Sequence, residues 1–154
     1  MFAETVSPQL MKDYVDTGKV RFIFRNWPIF SGTDSTNAAE ASYCAQDQGK
    51  FWEYHDKLFA ISTENDGVFA PAVVKQLAAQ TGMDATAFNQ CFDSHKYADQ
   101  VTKDKQYGNQ VAAQMGFSGT PAFLINNAPT GLMGANATAW IANFKSQFDT
   151  ELAK

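Results

Sequence analysis

The chain has 154 residues, of which 45% are hydrophobic and 18% are charged, and this composition suits one globular domain with its own core. The net charge of -4 comes from acidic and basic residues interspersed along the sequence, without a Lys/Arg block, so we expect no nucleic-acid partner. No apolar stretch approaches the roughly 20 residues of a membrane-spanning helix. The N-terminus also lacks the basic and apolar regions of a signal peptide, so we expect neither in this chain.

The first predicted elements are a helix and a strand. Apolar residues at helical spacing predict a helix over residues 3–17, which Gly18 ends. Pro8 removes a backbone donor inside that helix, so we expect a kink there. Alternating side chains then predict a β-strand over residues 19–27, closed by Pro28.

A block of helices follows this strand. The pattern over residues 34–59 predicts two helices divided by Gly49, with Asp34 or Ser35 as the N-cap. The first has a face of small residues and the second an inward aromatic face: Ala38, Ala41, Cys44 and Ala45, then Trp52, His55 and Phe59. Residues 63–67 predict a polar turn, and further helices are predicted over 71–81, from the cap Asp84 through Phe92, and over 97–115.

The most informative motif lies near the C-terminus. Gly119-Thr120-Pro121 runs directly into the apolar residues 122–125 and then Asn126-Asn127. A proline in a tight turn that enters a strand is a candidate cis peptide, the kind of geometry kept for a site, and a plain trans turn is the alternative. A turn with a short second strand is predicted over 129–134, and an amphipathic helix over 137–152 closes the chain.

The order of these elements predicts an α/β layer fold with a large helical insertion. Three strands are few for so many helices, and an open α/β sheet of this kind normally has one more central parallel strand. In this reading the sheet lacks its first central strand.

The two cysteines and two histidines form no recognisable ligand set. Cys44 and Cys91 lie on separate predicted helices, and an even count fits one disulfide or two buried thiols. Neither has zinc-site spacing with His55 or His95, so we predict no metal and no cofactor. His55 fits a packed core position, and no phosphate loop or Ser/His/Asp arrangement is present.

Several stretches together resemble the DsbA-like family of thiol-disulfide oxidoreductases found in many bacteria. They are residues 18–22 with 25–28, 38–45, 48–59, 88–91 and 116–123. The resemblance implies that residues 1–154 form one thioredoxin-like domain with a helical insertion at 34–115. It also implies cysteine-containing protein substrates, a membrane or soluble redox partner for the full-length parent, and a periplasmic or other extracytoplasmic location.

The resemblance assigns roles to four residues. It makes Thr120 and Pro121 the substrate-binding loop, where an extended peptide would pair with the backbone of Thr120. It also favours a structural disulfide between Cys44 and Cys91, because this branch of the family often carries a second cysteine pair.

One departure from the family concerns catalysis. The sequence contains no C-x-x-C, and residues 1–4 resemble the stretch that follows that motif. We therefore expect an N-terminally truncated member that is inactive alone, with a natural chain that has lost its catalytic end as the rival. The sequence leaves open whether this chain is an enzyme. The alternative function is a non-catalytic peptide-binding or chaperone-like module, or a dimer through exposed sheet edges, and a glutathione-using relative is a third possibility.

Overall fold

A computed structural model describes residues 2–30, 32–62, 68–131 and 134–154. The chain forms two compact units. The terminal unit consists of Met1–Phe24 and Gly119–Lys154, and the helical unit consists of Arg25–Ser118. The predicted helical insertion at 34–115 falls within the helical unit.

The first helix, α1, runs through three consecutive pieces. Phe2–Val6 and Met11–Val15 are π-helical, and Ser7–Leu10 between them is α-helical. Proline lacks a backbone donor, and the irregular winding around Pro8 occurs where the sequence predicts a kink. The face formed by Val6, Leu10 and Tyr14 is buried. Gly18, with φ of +74°, lies just beyond the helix, as expected.

The strand predicted over residues 19–27 is not present as a regular element, because residues 20–29 carry no assigned secondary structure. Its alternation is nevertheless retained: Val20, Phe22 and Phe24 are half-buried, whereas Arg21, Ile23 and Arg25 are exposed. A β-strand requires ladder hydrogen bonds to a neighbouring strand, which side-chain alternation alone cannot supply. The prediction of a strand was therefore wrong, although the predicted division of side chains between two faces is found.

The helical unit contains the predicted helices in the predicted order. They are α2 (Asp34–Gln46), α3 (Phe51–Ile61), α4 (Pro71–Ala79), α5 (Ala85–Asp93) and α6 (Ala98–Met115). Asp84 caps α5 by accepting a hydrogen bond from the backbone N–H of Ala87 at 2.9 Å. The N-cap of α2 is Thr33 rather than Asp34 or Ser35. The turn predicted at 63–67 lies outside the described residues.

The side of α3 that faces the core of the helical unit differs from the predicted one. Tyr54 and Leu58 are buried there, and the Tyr54 hydroxyl donates to the Val74 carbonyl oxygen at 2.8 Å. His55 is buried as expected, but Trp52 is 42% exposed and Phe59 is 37% exposed. The α2, α4 and α5 helices pack on the Tyr54 side of α3 and so determine which side chains are covered.

A hairpin and a helix complete the terminal unit. Strand β1 (Leu124–Ile125) pairs antiparallel with β2 (Ala128–Pro129), earlier than the second strand predicted from residue 129. Asn126 and Asn127 both have positive φ, 49° and 64°, as in a two-residue type I′ turn, and asparagine tolerates this region. The last helix, α7 (Ala137–Leu152), agrees with the prediction, and residues 132–133 lie outside the described chain.

Candidate functional site: the Thr120–Pro121 loop and the cysteine pair

The Thr120–Pro121 loop lies in the terminal unit, just before β1. Its peptide bond is cis, and the side chains of both residues are exposed. The side chain of Phe123, two residues later, packs in an aromatic cluster. Its ring centroid lies 4.6 Å from that of Phe2 and 4.9 Å from that of Phe144. An exposed loop is thus held by a well-packed neighbour, which fixes its position without covering it.

The backbone after the loop is fixed by its own hydrogen bonds. The N–H of Thr130 donates to the Phe123 carbonyl oxygen at 3.1 Å, which extends the hairpin by one step beyond β1 and β2. Further on, the Trp140 indole N–H donates to the carbonyl oxygen of Gly134 at 2.7 Å. A Cβ on Gly134 would lie only 2.6 Å from the Cβ of Ala139, so glycine permits this close approach to α7.

The chemistry available at the loop is binding rather than proton or electron transfer. Neither Thr120 nor Pro121 has a side chain that titrates near neutral pH. Exposed backbone groups beside a strand can pair with an extended peptide. Thr120 and Pro121 therefore offer backbone groups, a hydroxyl and an apolar ring, and neither carries a sulfur.

Helices α1 and α7 of the terminal unit are joined by polar contacts that the sequence analysis did not find. The Tyr14 hydroxyl donates to Asp149 Oδ1 at 2.8 Å, and Lys145 Nζ lies 2.5 Å from Asp13 Oδ2. Burial and the Asp149 carboxylate raise the pKa of Tyr14 to about 12. Hydrogen bonds from Lys145 and Gln9 lower the pKa of Asp13. The partners lie far apart in sequence, so local patterns carry no signal for them.

The cysteine pair lies in the helical unit. Cys44 on α2 and Cys91 on α5 form a disulfide with a Cα–Cα distance of 5.9 Å, and no cysteine of the described chain is free. Cys44 is 1% exposed and Cys91 is 9% exposed. Thiol-disulfide exchange needs direct access to a sulfur. The pairing is the one that the family resemblance implied, and its role as a structural cross-link stays a prediction.

A polar group centred on Asp47 lies beside Cys91 of this disulfide. Tyr97 donates to Asp47 Oδ1 at 2.5 Å, and Lys96 Nζ lies 2.7 Å from Asp47 Oδ2. The same Oδ2 atom is 3.8 Å from Cys91 Sγ. Asp47 lies 49 positions from Lys96 and 50 from Tyr97, so no local pattern in the sequence indicates this group.

A second polar group joins α2 to α6. The hydroxyl of Tyr43 donates to Oδ2 of the buried Asp104, and Gln100 Nε2 donates to Asp104 Oδ1 at 2.9 Å. Burial and the Asp104 carboxylate raise the pKa of Tyr43. Tyr43 also stacks on Tyr97, with ring centroids 5.1 Å apart, which connects the two polar groups.

The two histidines have separate environments. His55 packs 4.6 Å from the Phe59 ring, and burial lowers its pKa, although Asp56 acts in the opposite sense. His95 Nδ1 lies 3.2 Å from Oε2 of the buried Glu40. Within the described ranges, no three His, Cys, Asp or Glu side chains are arranged to hold a metal ion. Among the same residues, no helix is both long and apolar enough to cross a membrane.

Comparison with known proteins identifies the family. A family model described as thioredoxin matches residues 1–134, which is most of the chain. The chain belongs to the thioredoxin family.

Curated relatives of this thioredoxin-family chain include disulfide bond formation proteins. It is 31% identical over 132 residues to disulfide bond formation protein D of Bacillus subtilis, covering 82% of this chain and 57% of that protein. It is 28% identical over 158 aligned positions to a probable disulfide bond formation protein D of Bacillus anthracis, covering 97% of this chain and 66% of that one. The chain thus spans 57% and 66% of the lengths of these relatives.

Solved structures agree with the predicted thioredoxin-like, DsbA-like fold. The crystal structure of oxidised BdbD from Bacillus subtilis matches with a TM-score of 0.77 and 27% identity, over 99% of this chain and 80% of that one. Chlamydia trachomatis DsbA matches in fold with a TM-score of 0.66 and 23% identity, over 99% and 79% of the two chains. These matches confirm the fold class.

These findings do not support the expectation of an N-terminal truncation that removed the catalytic motif. In the structure, the two cysteines of the chain form the Cys44–Cys91 disulfide. The roles expected for Thr120 and Pro121 in substrate binding stay predictions.

Proposed function

We propose that this chain provides the substrate-binding loop and helical unit of an extracytoplasmic thiol-disulfide oxidoreductase, which forms or exchanges disulfides in cysteine-containing proteins. The observation that carries the proposal is the exposed Thr120–Pro121 loop held by Phe123 at the start of β1. The relatives named as disulfide bond formation proteins support the same reaction class.

In the proposed mechanism, the loop holds the substrate and a thiolate performs the exchange. An extended substrate segment pairs with the backbone of Thr120, which presents its cysteine in a fixed orientation. A thiolate then attacks the substrate disulfide and forms a mixed disulfide, and one substrate sulfur departs as a thiolate. Cys44 and Cys91 are bonded to each other and buried, so the proposal assigns the exchange to neither of them.

The structural disulfide supports the proposed location. Disulfides persist in oxidising compartments and are rare where glutathione and thioredoxin keep thiols reduced. A disulfide within the core of the helical unit therefore favours an extracytoplasmic site of action. There, a membrane or soluble redox partner would return the exchanging cysteines to their working state.

The loop can be tested with an engineered version of the chain, to which a strand and a C-x-x-C segment are added before Met1 as a source of exchanging thiolate. We expect Pro121→Ala in this protein to lower kcat/KM for insulin reduction about tenfold, a loss of about 1.4 kcal/mol in transition-state stabilisation. The reason is that the proposal places the substrate against Pro121.

Pro129→Ala is the matched control, because Pro129 is also exposed and lies on the hairpin that follows the loop. It should leave kcat/KM unchanged, and circular dichroism should show both variants folded. Equal losses in the two variants would contradict the role of the Thr120–Pro121 loop.

One observation favours a second function, a non-catalytic peptide-binding or chaperone-like module. The described chain contains no free thiol with which to carry out exchange. If this function is correct, the extended C-x-x-C version will not reduce insulin, and a cysteine-free extended peptide will still shift the NMR signals of Thr120. Sedimentation velocity will show whether exposed sheet edges also support a dimer.

A further inference from the structure

The two sulfurs of the disulfide differ in their surroundings. Cys44 is almost fully enclosed at 1% exposure, whereas Cys91 retains 9%. Cys91 is therefore the half of the bond that an external thiol would meet first. That sulfur lies 3.8 Å from Oδ2 of Asp47, close to van der Waals contact.

Asp47 is held in this position by two partners. It is the C-cap residue of α2, and its oxygens accept hydrogen bonds from Tyr97 at 2.5 Å and Lys96 at 2.7 Å. Burial alone would raise the pKa of Asp47, but these two hydrogen bonds outweigh it and lower the pKa. The group beside Cys91 is consequently a carboxylate at neutral pH.

We propose that Asp47 protects the Cys44–Cys91 disulfide from reduction by repelling thiolates that approach Cys91 Sγ. The inference rests on the contact between Asp47 and Cys91 and does not depend on the proposed function. The carboxylate adds an electrostatic barrier to the protection that burial already gives the bond.

The reaction that Asp47 opposes is a two-step exchange with a small thiol as the reductant. A thiolate attacks Cys91 Sγ, forms a mixed disulfide, and breaks the bond to Cys44, whose sulfur leaves as a thiolate and takes up a proton. A second thiolate attacks the outer sulfur, releases the small-molecule disulfide and leaves Cys91 as a thiolate that is protonated in turn. Asp47 opposes both the approach of an anion and the formation of negative charge on Cys91.

Lys96 reduces this repulsion without removing it. Its ammonium group contacts the same carboxylate, and its side chain is 53% exposed, so its charge is well solvated. We therefore expect a modest effect of about three- to tenfold on the reduction rate, the size of an interaction between solvated charges at this range.

Substituting each member of the ion pair in turn distinguishes an effect of charge from an effect of lost structure. Asp47→Asn removes the negative charge, and Lys96→Gln removes the positive one, yet both break the same ion pair. If Asp47 acts by electrostatic repulsion, the two substitutions must change the rate of attack by an anionic thiolate in opposite directions. If the pair only fastens the end of α2, both substitutions loosen the same place and change the rates in the same direction.

The experiment uses the full 154-residue chain in its oxidised form. Its reduction is followed with 2-mercaptoethanesulfonate, 2-mercaptoethanol and cysteamine, whose attacking thiolates are a dianion, a monoanion and a zwitterion without net charge, with each rate divided by the thiolate concentration. The quantity compared is the ratio of the rate constant for 2-mercaptoethanesulfonate to that for cysteamine.

We expect this ratio to rise about three- to tenfold in Asp47→Asn and to fall in Lys96→Gln, with both shifts reduced at high salt. A ratio that stays constant, or that moves in the same direction in both variants, would overturn the proposal. Free-thiol titration beforehand verifies that each disulfide is intact. If Asp47→Asn does not fold, Lys96→Gln, at an exposed position, still tests the proposal. A ratio of rate constants that does not fall in this variant would overturn it.

Discussion

Tyr14 and Asp149 form a hydrogen bond across 135 positions of sequence. The sequence correctly places Tyr14 on the buried face of α1 but gives no indication of a carboxylate partner on α7. Tyr14 is 6% exposed, so its hydroxyl needs a partner in the folded chain. Burial and this contact raise the pKa of Tyr14 to about 12, from an ordinary value of 10.0.

This pKa shift predicts a loss of stability at alkaline pH. The unfolded chain releases the Tyr14 proton near its ordinary pKa of 10.0, whereas the folded chain retains it to about 12, so the stabilisation falls across that window. Tyr14→Phe should remove up to about 2 kcal/mol of this alkaline loss. At neutral pH it should cost about 1 kcal/mol, because the hydrogen bond is lost.

Urea unfolding at pH 9 and pH 11 measures this effect in both proteins. The comparison with Tyr14→Phe isolates Tyr14, since other tyrosines contribute equally to the two curves. If the free energy of unfolding depends on pH equally in the two proteins, folding does not raise the pKa of Tyr14.

Gly108 provides a residue-scale test of packing in the helical unit. A Cβ at this position of α6 would lie 2.3 Å from Cδ1 of Trp27, whose indole N–H is itself held by Asn109 at 2.9 Å. Gly→Ala inside a helix normally gains about 1 kcal/mol, but overpacking costs about 1 to 3 kcal/mol. We therefore expect Gly108→Ala to lower the free energy of unfolding by about 1 kcal/mol.

The control for this substitution is Gly131→Ala, because a Cβ on Gly131 would meet no atom within 4 Å. Chemical unfolding followed by tryptophan fluorescence compares the two variants with the parent chain. A Gly108→Ala protein more stable than the parent would mean that Trp27 moves aside at little cost.

At the scale of elements, the helices were predictable because their signals are local. Asp84 marks the start of α5 and Gly116 the end of α6, and each acts through backbone groups within a few residues. The strand over 19–27 was not predictable in the same way. Its alternation is local, but its status as a strand depends on a hydrogen-bonding neighbour elsewhere in the chain.

The disulfide between α2 and α5 closes a long loop, with its cysteines 47 positions apart. Replacing both with alanine should lower the free energy of unfolding by about 2 to 4 kcal/mol, because the unfolded chain regains the entropy of that loop. Urea unfolding of the double variant, compared with the oxidised parent, measures the difference.

The reduced parent chain is the control that separates the cross-link from the loss of two buried side chains. It should lose most of the same free energy while retaining both cysteines. An unchanged unfolding midpoint after reduction would contradict a structural role for this disulfide.

At the scale of the whole molecule, the state of the two cysteines determines whether the chain alone can reduce disulfides. Its two cysteines are bonded to each other and buried. We therefore predict that the 154-residue chain will not reduce insulin disulfides above the rate of the reductant alone. Insulin turbidity with dithiothreitol measures this directly, and catalysis by the unmodified chain would require that Cys44 and Cys91 exchange after all.

The candidate site illustrates the same division between sequence and structure. The Thr120–Pro121 loop was evident from adjacent residues, because a proline entering an apolar run is a local pattern. The Asp47, Lys96 and Tyr97 group beside Cys91 was not evident. Its members are ordinary surface residue types, and only the fold brings one of them, Asp47, to 3.8 Å from Cys91 Sγ.

The sequence by itself determined the order and approximate extent of the helices, the apolar faces of α1 and α7, and the position of the Thr120–Pro121 loop. All of these depend on interactions within about one turn or one hairpin. Only the tertiary structure decided which side of α3 is covered, how Tyr14 is paired, and that a carboxylate lies 3.8 Å from Cys91 Sγ. These features depend on residues distant in sequence, which are brought together only when the helices pack.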